Sequence, residues 1–247
     1  MKLDHLKKYK IMKKYLINYA DKSHYVSRNL NTNTGIKIGG FDKAIPYTRE
    51  SLGDKFCLKN KHILDQPRGA GYWLWKPYII FKTLEKLEEN DILFYSDAGI
   101  EFIKSVDELI PIMDSTEQKI LAFRLDDIHP NKRWTKRDCF VNLGLDEEKY
   151  ANHTQILGSY IIMRKNNFVV SFVKEWLNYA EDYRNITDSP NECGLPNYPE
   201  FVDHRHDQSI YSLLVLKHNI KHIRDISQFG SDGWETSQIL NHHRMKN

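Results

Sequence analysis

The sequence predicts an α/β fold with a mostly parallel central sheet flanked by helices, and three observations carry that prediction. Short runs of branched and aromatic residues, such as residues 92–95 (ILFY), suit strands buried on both faces. Stretches with helical periodicity separate those runs, and this alternation builds parallel sheets. One run also delivers a carboxylate, Asp97, into the small-residue turn Ser96, Ala98, Gly99. In open α/β sheets that position, beyond the carboxyl end of a strand, is where ligands sit.

Taken in order, residues 15–20 (YLINYA) read as the first strand, and the polar, turn-rich residues 21–33 follow where such a sheet first meets its ligand. Residues 72–87 carry a helical pattern, with Pro77 near its start, where a missing amide is tolerated. Residues 91–102 (DILFYSDAGIEF) hold the Asp97 strand. Residues 106–113 read as a short helix, 119–125 as a strand and 159–164 as another strand of the buried type. In residues 168–183, Phe168, Phe172, Val173, Trp176 and Tyr179 recur at helical spacing and form a core stripe. Residues 185–205, with Pro190, Gly194, Pro196 and Pro199, have no such pattern and read as a lid or binding loop. A helix resumes over 208–218.

A chain of 247 residues can bury one sizeable core, so a single domain over 1–247 is expected. The formal net charge of +3 is too small and dispersed for nucleic-acid binding, though it suits an anionic small ligand. Cys57, Cys139 and Cys193 are widely spaced, without a CxxC or zinc-type cluster, which points to a reducing compartment. No apolar run reaches the roughly 20 residues of a membrane span, and the opening MKLDHLKKYKIMKKY lacks the apolar centre of a secretory signal. A cytoplasmic location is expected. The basic start reads as a solvated helix, with peripheral contact to an anionic membrane as the alternative.

Four segments are rich in polar chemistry: 68–76, Asp97 with Glu101, 136–138 and 204–208. In RGAGYWLWKP, Gly69 and Gly71 permit an unusual backbone path, Arg68 and Lys76 can pair with phosphates, and Tyr72 or Trp73 can pack on a ring. Ala98 and Gly99 leave room for a polyanion to approach the backbone while Asp97 holds a divalent cation against it. Each feature has a structural alternative: a surface turn anchored by aromatics for the first, a turn-capping Asp for the second. Trp134, Lys136, Arg137 and Asp138 follow the 119–125 strand, where loops face ligand, and Gln155 precedes the next strand.

Five segments in order, GYWLWKPYII, DILFYSDAGIEF, WTKRDCF, QILGSYIIMRK and HRHDQSIYSLL, resemble the GT-A-type nucleotide-sugar glycosyltransferases, and more closely their bacterial and viral polysaccharide-related members. The resemblance runs from about residue 15 to the C-terminus. It implies a single GT-A-like (Rossmann-like) domain, donor-binding over about 15–125 and acceptor-side over about 126–247. Such a domain moves a sugar from a nucleoside-diphosphate sugar, with uridine diphosphate the commonest carrier, to a hydroxyl acceptor in glycan or polysaccharide synthesis. It implies a donor site built from Tyr19, Ala20, Arg68, Tyr72, Trp73, Lys76, Ser96, Asp97, Ala98, Gly99 and Arg244. In the family the strand ends in Asp-x-Asp near a manganese or magnesium ion. Asp97 matches the first position and Gly99 replaces the second, with Glu101 on the following segment. A histidine near the C-terminus, His243 or His242, is the implied further metal ligand. HRHDQ resembles the acidic-Gln signature that opens an acceptor-side helix, which makes Asp207 the catalytic candidate beside Asp97, although an Asp there also caps backbone amides. Trp134, Lys136, Arg137, Asp138, Gln155, His206 and Gln208 are then expected at the acceptor or transferred sugar. In an inverting enzyme Asp207 abstracts the acceptor proton; in a retaining one it positions the sugar. The rival readings are an inactive sugar- or nucleotide-binding domain of the same fold, favoured by the missing second Asp, and a metal-dependent nucleotidyltransferase. The sequence has no GxxxxGK[ST] phosphate loop.

Overall fold

A computed structural model describes residues 12–227 and 237–243 of the chain. Among them are the strands β1 (Lys14–Tyr19), β2 (Lys43–Tyr47), β3 (Ile92–Ser96), β4 (Ile100–Phe102), β5 (Ile120–Arg124), β6 (Tyr160–Arg164), β7 (His222–Arg224) and β8 (Leu240–His242). Six form the central sheet in the order β2-β1-β3-β6-β5-β7, while β4 and β8 make a separate antiparallel pair. The pairs β1/β2, β1/β3 and β5/β7 are parallel. Strand β6 runs against both its neighbours, so it alone is reversed in a sheet that is otherwise parallel.

The reversal of β6 matters for the site. Parallel strands need a crossover that carries the chain back to the opposite edge. Between β5 and β6 lie only short helices, Asn131–Trp134, Arg137–Asn142 and Glu148–Ala151, and the chain re-enters the sheet at the edge it left. The start of β6 therefore meets the end of β3: the amide of Asp97 donates to the Ser159 carbonyl at 2.7 Å.

Along β3, Leu93 and Tyr95 join one apolar cluster and Ile92 and Phe94 the other, so successive side chains enter cores on opposite faces of the sheet. All four are 1% exposed or less, as expected of a strand covered on both faces. The edge strands are harder to recognise in sequence. Strand β2 contains Pro46, which a central strand does not tolerate, and β7 has only three residues.

The longer helices are α1 (Tyr25–Thr34), α2 (Trp75–Leu84), α3 (Asn167–Ala180) and α4 (His206–Lys217). Helix α2 starts three residues later than its periodicity indicates, with Pro77 in its first turn, because a left-handed segment occupies residues 69–73. Helix α3 is capped by the Asn166 side chain, which accepts the Val169 amide. It buries Phe172, Val173 and Trp176 and leaves Phe168 42% exposed at the outer end of the stripe. The indole of Trp176 donates to the Asp207 carbonyl at 3.1 Å and ties the start of α4 to this core. Residues 106–113 divide into a 3-10 turn, Val106–Leu109, and a helix, Ile110–Ser115. Residues 187–205 have no regular structure, yet they are anchored: the Asp138 carboxylate accepts the amides of Glu192 and Cys193 at 2.9 and 2.8 Å. Cys57, Cys139 and Cys193 are unbonded thiols. No helix of the described residues is long and apolar enough to cross a membrane.

Candidate active site

The turn after β3 is held from several sides. Asn31 of α1 donates from one amide nitrogen to Ser96 Oγ and to the Ile100 carbonyl, at 2.9 and 2.8 Å. Ser96 is fully buried and donates in turn to the Asp97 carbonyl at 3.1 Å, so it fixes the turn from inside. The Asp97 carboxylate accepts a hydrogen bond from the Tyr95 hydroxyl and has its side chain one-third exposed. Burial, with Asp97 beside it, raises the Tyr95 hydroxyl well above its ordinary range, so it remains a donor.

Residues 69–73 form a left-handed turn, with φ of 59° at Gly69, 52° at Ala70, 99° at Gly71, 52° at Tyr72 and 58° at Trp73. Such a conformation costs about 1–2 kcal/mol for each non-glycine residue, so surrounding contacts must impose it. A Cβ on Gly69 would lie 2.2 Å from the Trp73 ring, and one on Gly71 2.5 Å from the Leu64 Cα. The turn aims Trp73 into the cleft and lets the Trp75 indole donate to the Gly69 carbonyl at 3.0 Å while stacking on Tyr19 at 4.0 Å. Gly71→Ala is expected to destabilise the fold by roughly 1–3 kcal/mol. Gly144→Ala, also at positive φ but with nothing within 4 Å of the added carbon, should lose less. Urea unfolding of both variants compares the two losses, and equal ones would mean that the Leu64 contact is immaterial.

Lys76, in the first turn of α2, points into the space between β3 and α4. Its Nζ lies 2.8 Å from Asp207 Oδ2 and 3.6 Å from Asp97 Oδ1, and donates to the Gly158 carbonyl at 3.0 Å. Lys76 and Asp207 are each 3% exposed. The 2.8 Å contact lacks hydrogen-bond alignment, leaving Asp207 Oδ2 without a directed donor. Burial, reinforced by Asp97 and opposed by Lys76, pushes the Asp207 carboxyl up to about 6. Burial pulls Lys76 down, but Asp207 and Asp97 together hold it above its ordinary value.

Asp97 stands where two clefts meet. The first, of about 530 Å³, is bordered by Tyr19 and Ala20 at the end of β1, by Trp73, by Asp97 and Gly99, and by His243. The second, of about 340 Å³, shares Trp73, Asp97 and Ser159 with it and adds Lys76, Asp207 and Gln208. Both volumes are in the range of small-molecule sites, about 300–1,000 Å³. Ala98 lines the first cleft and Arg68 the second. The Arg68 guanidinium pairs with Asp188 and Asp203 at 3.1 and 2.5 Å.

His206 opens α4 at φ 52°, stacked on Trp73 with ring centroids 5.4 Å apart and tilted against Tyr72 at 4.9 Å. Tyr72 itself lines neither cleft. Burial lowers the basicity of His206. Its Nδ1 is 2.7 Å from the Ile186 carbonyl, which can only accept, so Nδ1 carries the proton and Nε2 presents a lone pair. That Nε2 is buried without a hydrogen bond. His204 is lowered well below its usual value by burial, next to His206. It accepts the Lys136 amide at Nδ1 and donates from Nε2 to the Asn185 carbonyl.

The remaining acceptor-side residues fall into two groups. Gln208 lines the second cleft, accepts the Gly158 amide at 2.9 Å and donates to Gln155 at 2.8 Å. Gln155 is fully buried beneath it. Trp134 carries the Arg205 guanidinium 4.0 Å over its ring, and Arg137 pairs with Asp146 while lying over Tyr198; neither lines these clefts. Lys136 Nζ reaches Ser189 and Asp138, and the latter holds the 187–205 loop.

The C-terminal strand reaches the same cleft. Pairing of β4 with β8 places the His243 amide on the Gly99 carbonyl at 2.9 Å, and both His242 and His243 border the first cleft. Both ring nitrogens of His243 lack hydrogen-bond partners among the described residues, and burial lowers its basicity. Glu101, in β4, lies on neither cleft, and Arg244 falls outside the described residues. Among the described residues no three His, Cys, Asp or Glu side chains cluster to hold a metal. Asp97 with His243 is a two-donor set, which suits a hard cation only when substrate oxygens complete its shell.

Several contributors escaped the sequence reading. Tyr95 orients Asp97, Ser159 lies at both clefts, and Asp188 and Asp203 engage Arg68. Tyr95, two residues before Asp97 on the same face of β3, was open to inference from the period of a strand. The others depend on long-range contact.

No known protein family's sequence profile matches this chain, and no curated protein matches it in sequence. Among solved structures it is similar to the apo form of mouse xyloside xylosyltransferase 1, with a TM-score of 0.50 and 9% identity over 94% of this chain and 97% of that one. At that identity the likeness concerns the fold: the chain has an α/β glycosyltransferase-type fold, a mostly parallel six-stranded sheet flanked by helices.

Proposed function

We propose that this chain is a glycosyltransferase that moves a sugar from a nucleoside-diphosphate sugar to a hydroxyl acceptor in glycan or polysaccharide synthesis. The observation that carries the reading is Asp97 at the junction of two clefts, with a buried Lys76–Asp207 pair on the side of the second. The donor lies in the first cleft, its base toward Tyr19 and its diphosphate toward Asp97 and Gly99, where small side chains admit it. The acceptor enters the second cleft, which Trp73 separates from the first.

Transfer requires the acceptor oxygen to bond to the anomeric carbon while the bond to the diphosphate breaks, its electron pair leaving with the nucleoside diphosphate. The acceptor proton goes to Asp207, whose carboxyl near 6 is mostly ionised at neutral pH and is still basic enough to take it. Lys76 holds that carboxylate in place and offsets the charge of Asp97. Asp97 and His243 would hold a manganese or magnesium ion with the diphosphate oxygens, and such an ion would supply charge neutralisation to the leaving group.

Nucleoside diphosphate release from a panel of sugar nucleotides, with UDP-hexoses first and with and without manganese, tests the reading. Release is expected for at least one donor, and Asp97→Ala is expected to abolish it with the fold intact, since the side chain lies at a strand end and is partly exposed. No release from any donor under either condition would leave a binding domain of the same fold. Near-normal transfer by the variant would discard the site.

A further inference from the structure

A third cleft, of about 450 Å³, continues from the second. The two share Arg68, Asp203 and His204 in their linings, so the third cleft adjoins the second across the Arg68–Asp203 ion pair. One wall is the 187–205 loop, which contributes Ser189, Pro190, Asn191, Asn197 and Phe201. From this adjacency we propose that the acceptor is a neutral oligosaccharide of at least two residues. Its terminal sugar occupies the second cleft and the preceding residue the third. The proposal rests on the transferase reading for the identity of the second cleft as the acceptor site.

Charge balance argues for a neutral chain. Arg68 is matched by Asp188 and Asp203, and Lys136 by Asp138 at 3.3 Å with its Nζ donating to the Ser189 carbonyl at 2.7 Å. Among the described residues that line the cleft, both cations, the exposed Arg68 and the buried Lys136, already have carboxylate partners, so neither stands unpaired for a phosphate or a sugar carboxylate. The groups that remain suit hydroxyls. Asn197 Oδ1 accepts the Arg137 amide and the Asn191 side chain, while its Nδ2 takes part in none of the loop's hydrogen bonds. Asp188 Oδ1 lies beyond hydrogen-bond range of His206 Nε2, at 3.9 Å. Phe201 supplies an aromatic face, against which the apolar side of a sugar ring packs.

The cleft is also set in advance of binding. Asp138 accepts the Glu192 and Cys193 amides, and Asn191 Oδ1 accepts the Asp138 amide at 3.2 Å, so the loop need not order itself around the ligand. None of the residues lining the third cleft belongs to a strand, so no sheet edge is offered for pairing to an extended peptide. This favours a glycan over a Ser- or Thr-bearing peptide as acceptor.

Calorimetric titration of the full chain with neutral cello-, galacto- and manno-oligosaccharides of one to four units tests the proposal, beside phosphorylated sugars and a Ser/Thr peptide. At least one neutral ladder is expected to gain about tenfold or more in affinity from one unit to two or three. Pro190→Trp, which fills the third cleft, is expected to remove that gain, and Phe201→Ala to reduce it. Equal affinity along every ladder, absence of binding by all of them, or preference for the phosphorylated sugar or the peptide would overturn it, as would an undiminished gain in both variants. Nucleoside diphosphate release from donor mixed with each oligosaccharide reports the transferase reading separately. Length-dependent binding without such release would retain the subsite and reject the transferase.

Discussion

Asp207→Asn is expected to lower the rate of transfer by about 10²–10⁴-fold, the usual contribution of a general base, while the KM for donor changes little. The asparagine keeps the size of the side chain and removes only its ability to take a proton. In the wild type the base form grows in as pH rises through about 6, so kcat/KM should show an acid limb there. The variant should lose that limb. The same group affects stability with the opposite sense. Its folded value is raised from 3.8 to about 6, so the folded state holds the proton more tightly than the unfolded one. The stabilisation is complete below 3.8 and is lost as pH rises through about 6. Denaturant unfolding between these limits should show a fall in the wild type that Asp207→Asn lacks. A loss confined to KM would make Asp207 a binding residue and leave the proton without a base.

Lys76→Met is expected to destabilise the fold by about 3–5 kcal/mol, because it strands a buried carboxylate without its cation. Methionine retains most of the aliphatic stem, so the loss reflects charge more than volume. With Nζ gone, only the Gln208 amide still opposes burial and the neighbouring Asp97, so the Asp207 carboxyl should rise further and the acid limb of kcat/KM should move above 6. The double variant Lys76→Met with Asp207→Asn should be more stable than Lys76→Met alone, since the buried carboxylate is then gone and only the partly exposed Asp97 remains without its cation. Urea unfolding of the four proteins gives the coupling directly. Additive losses would mean that the 2.8 Å contact has no energetic consequence.

The clearest readings came from features that one segment carries whole. In β3 the alternation of Ile92 and Phe94 against Leu93 and Tyr95 follows from a run with no polar face, and the glycines at 69 and 71 mark a turn that other residues resist. The stripe on α3 is likewise a property of spacing, although its ends are less covered: Phe168 is 42% exposed and Tyr179 is only partly buried. Edge strands β2 and β7 were less legible because their pairing partners define them more than their own residues do. Within the site, the alignment of Asp97 with small residues was legible, but what surrounds its carboxylate was not.

The sequence by itself determined the α/β class, the strand that ends at Asp97 and the glycines that permit an unusual backbone path before α2, because periodicity and glycine conformation act over a few residues. Only the tertiary structure decided that Lys76 lies between Asp97 and Asp207, and that Arg68 bridges Asp188 and Asp203, 120 and 135 residues away. It also decided the reversal of β6, which sets Ser159 against Asp97. These are choices of partner among many charged side chains of similar type. The energy of each ion pair depends on burial and distance, which the chain acquires only when its sheet order is set.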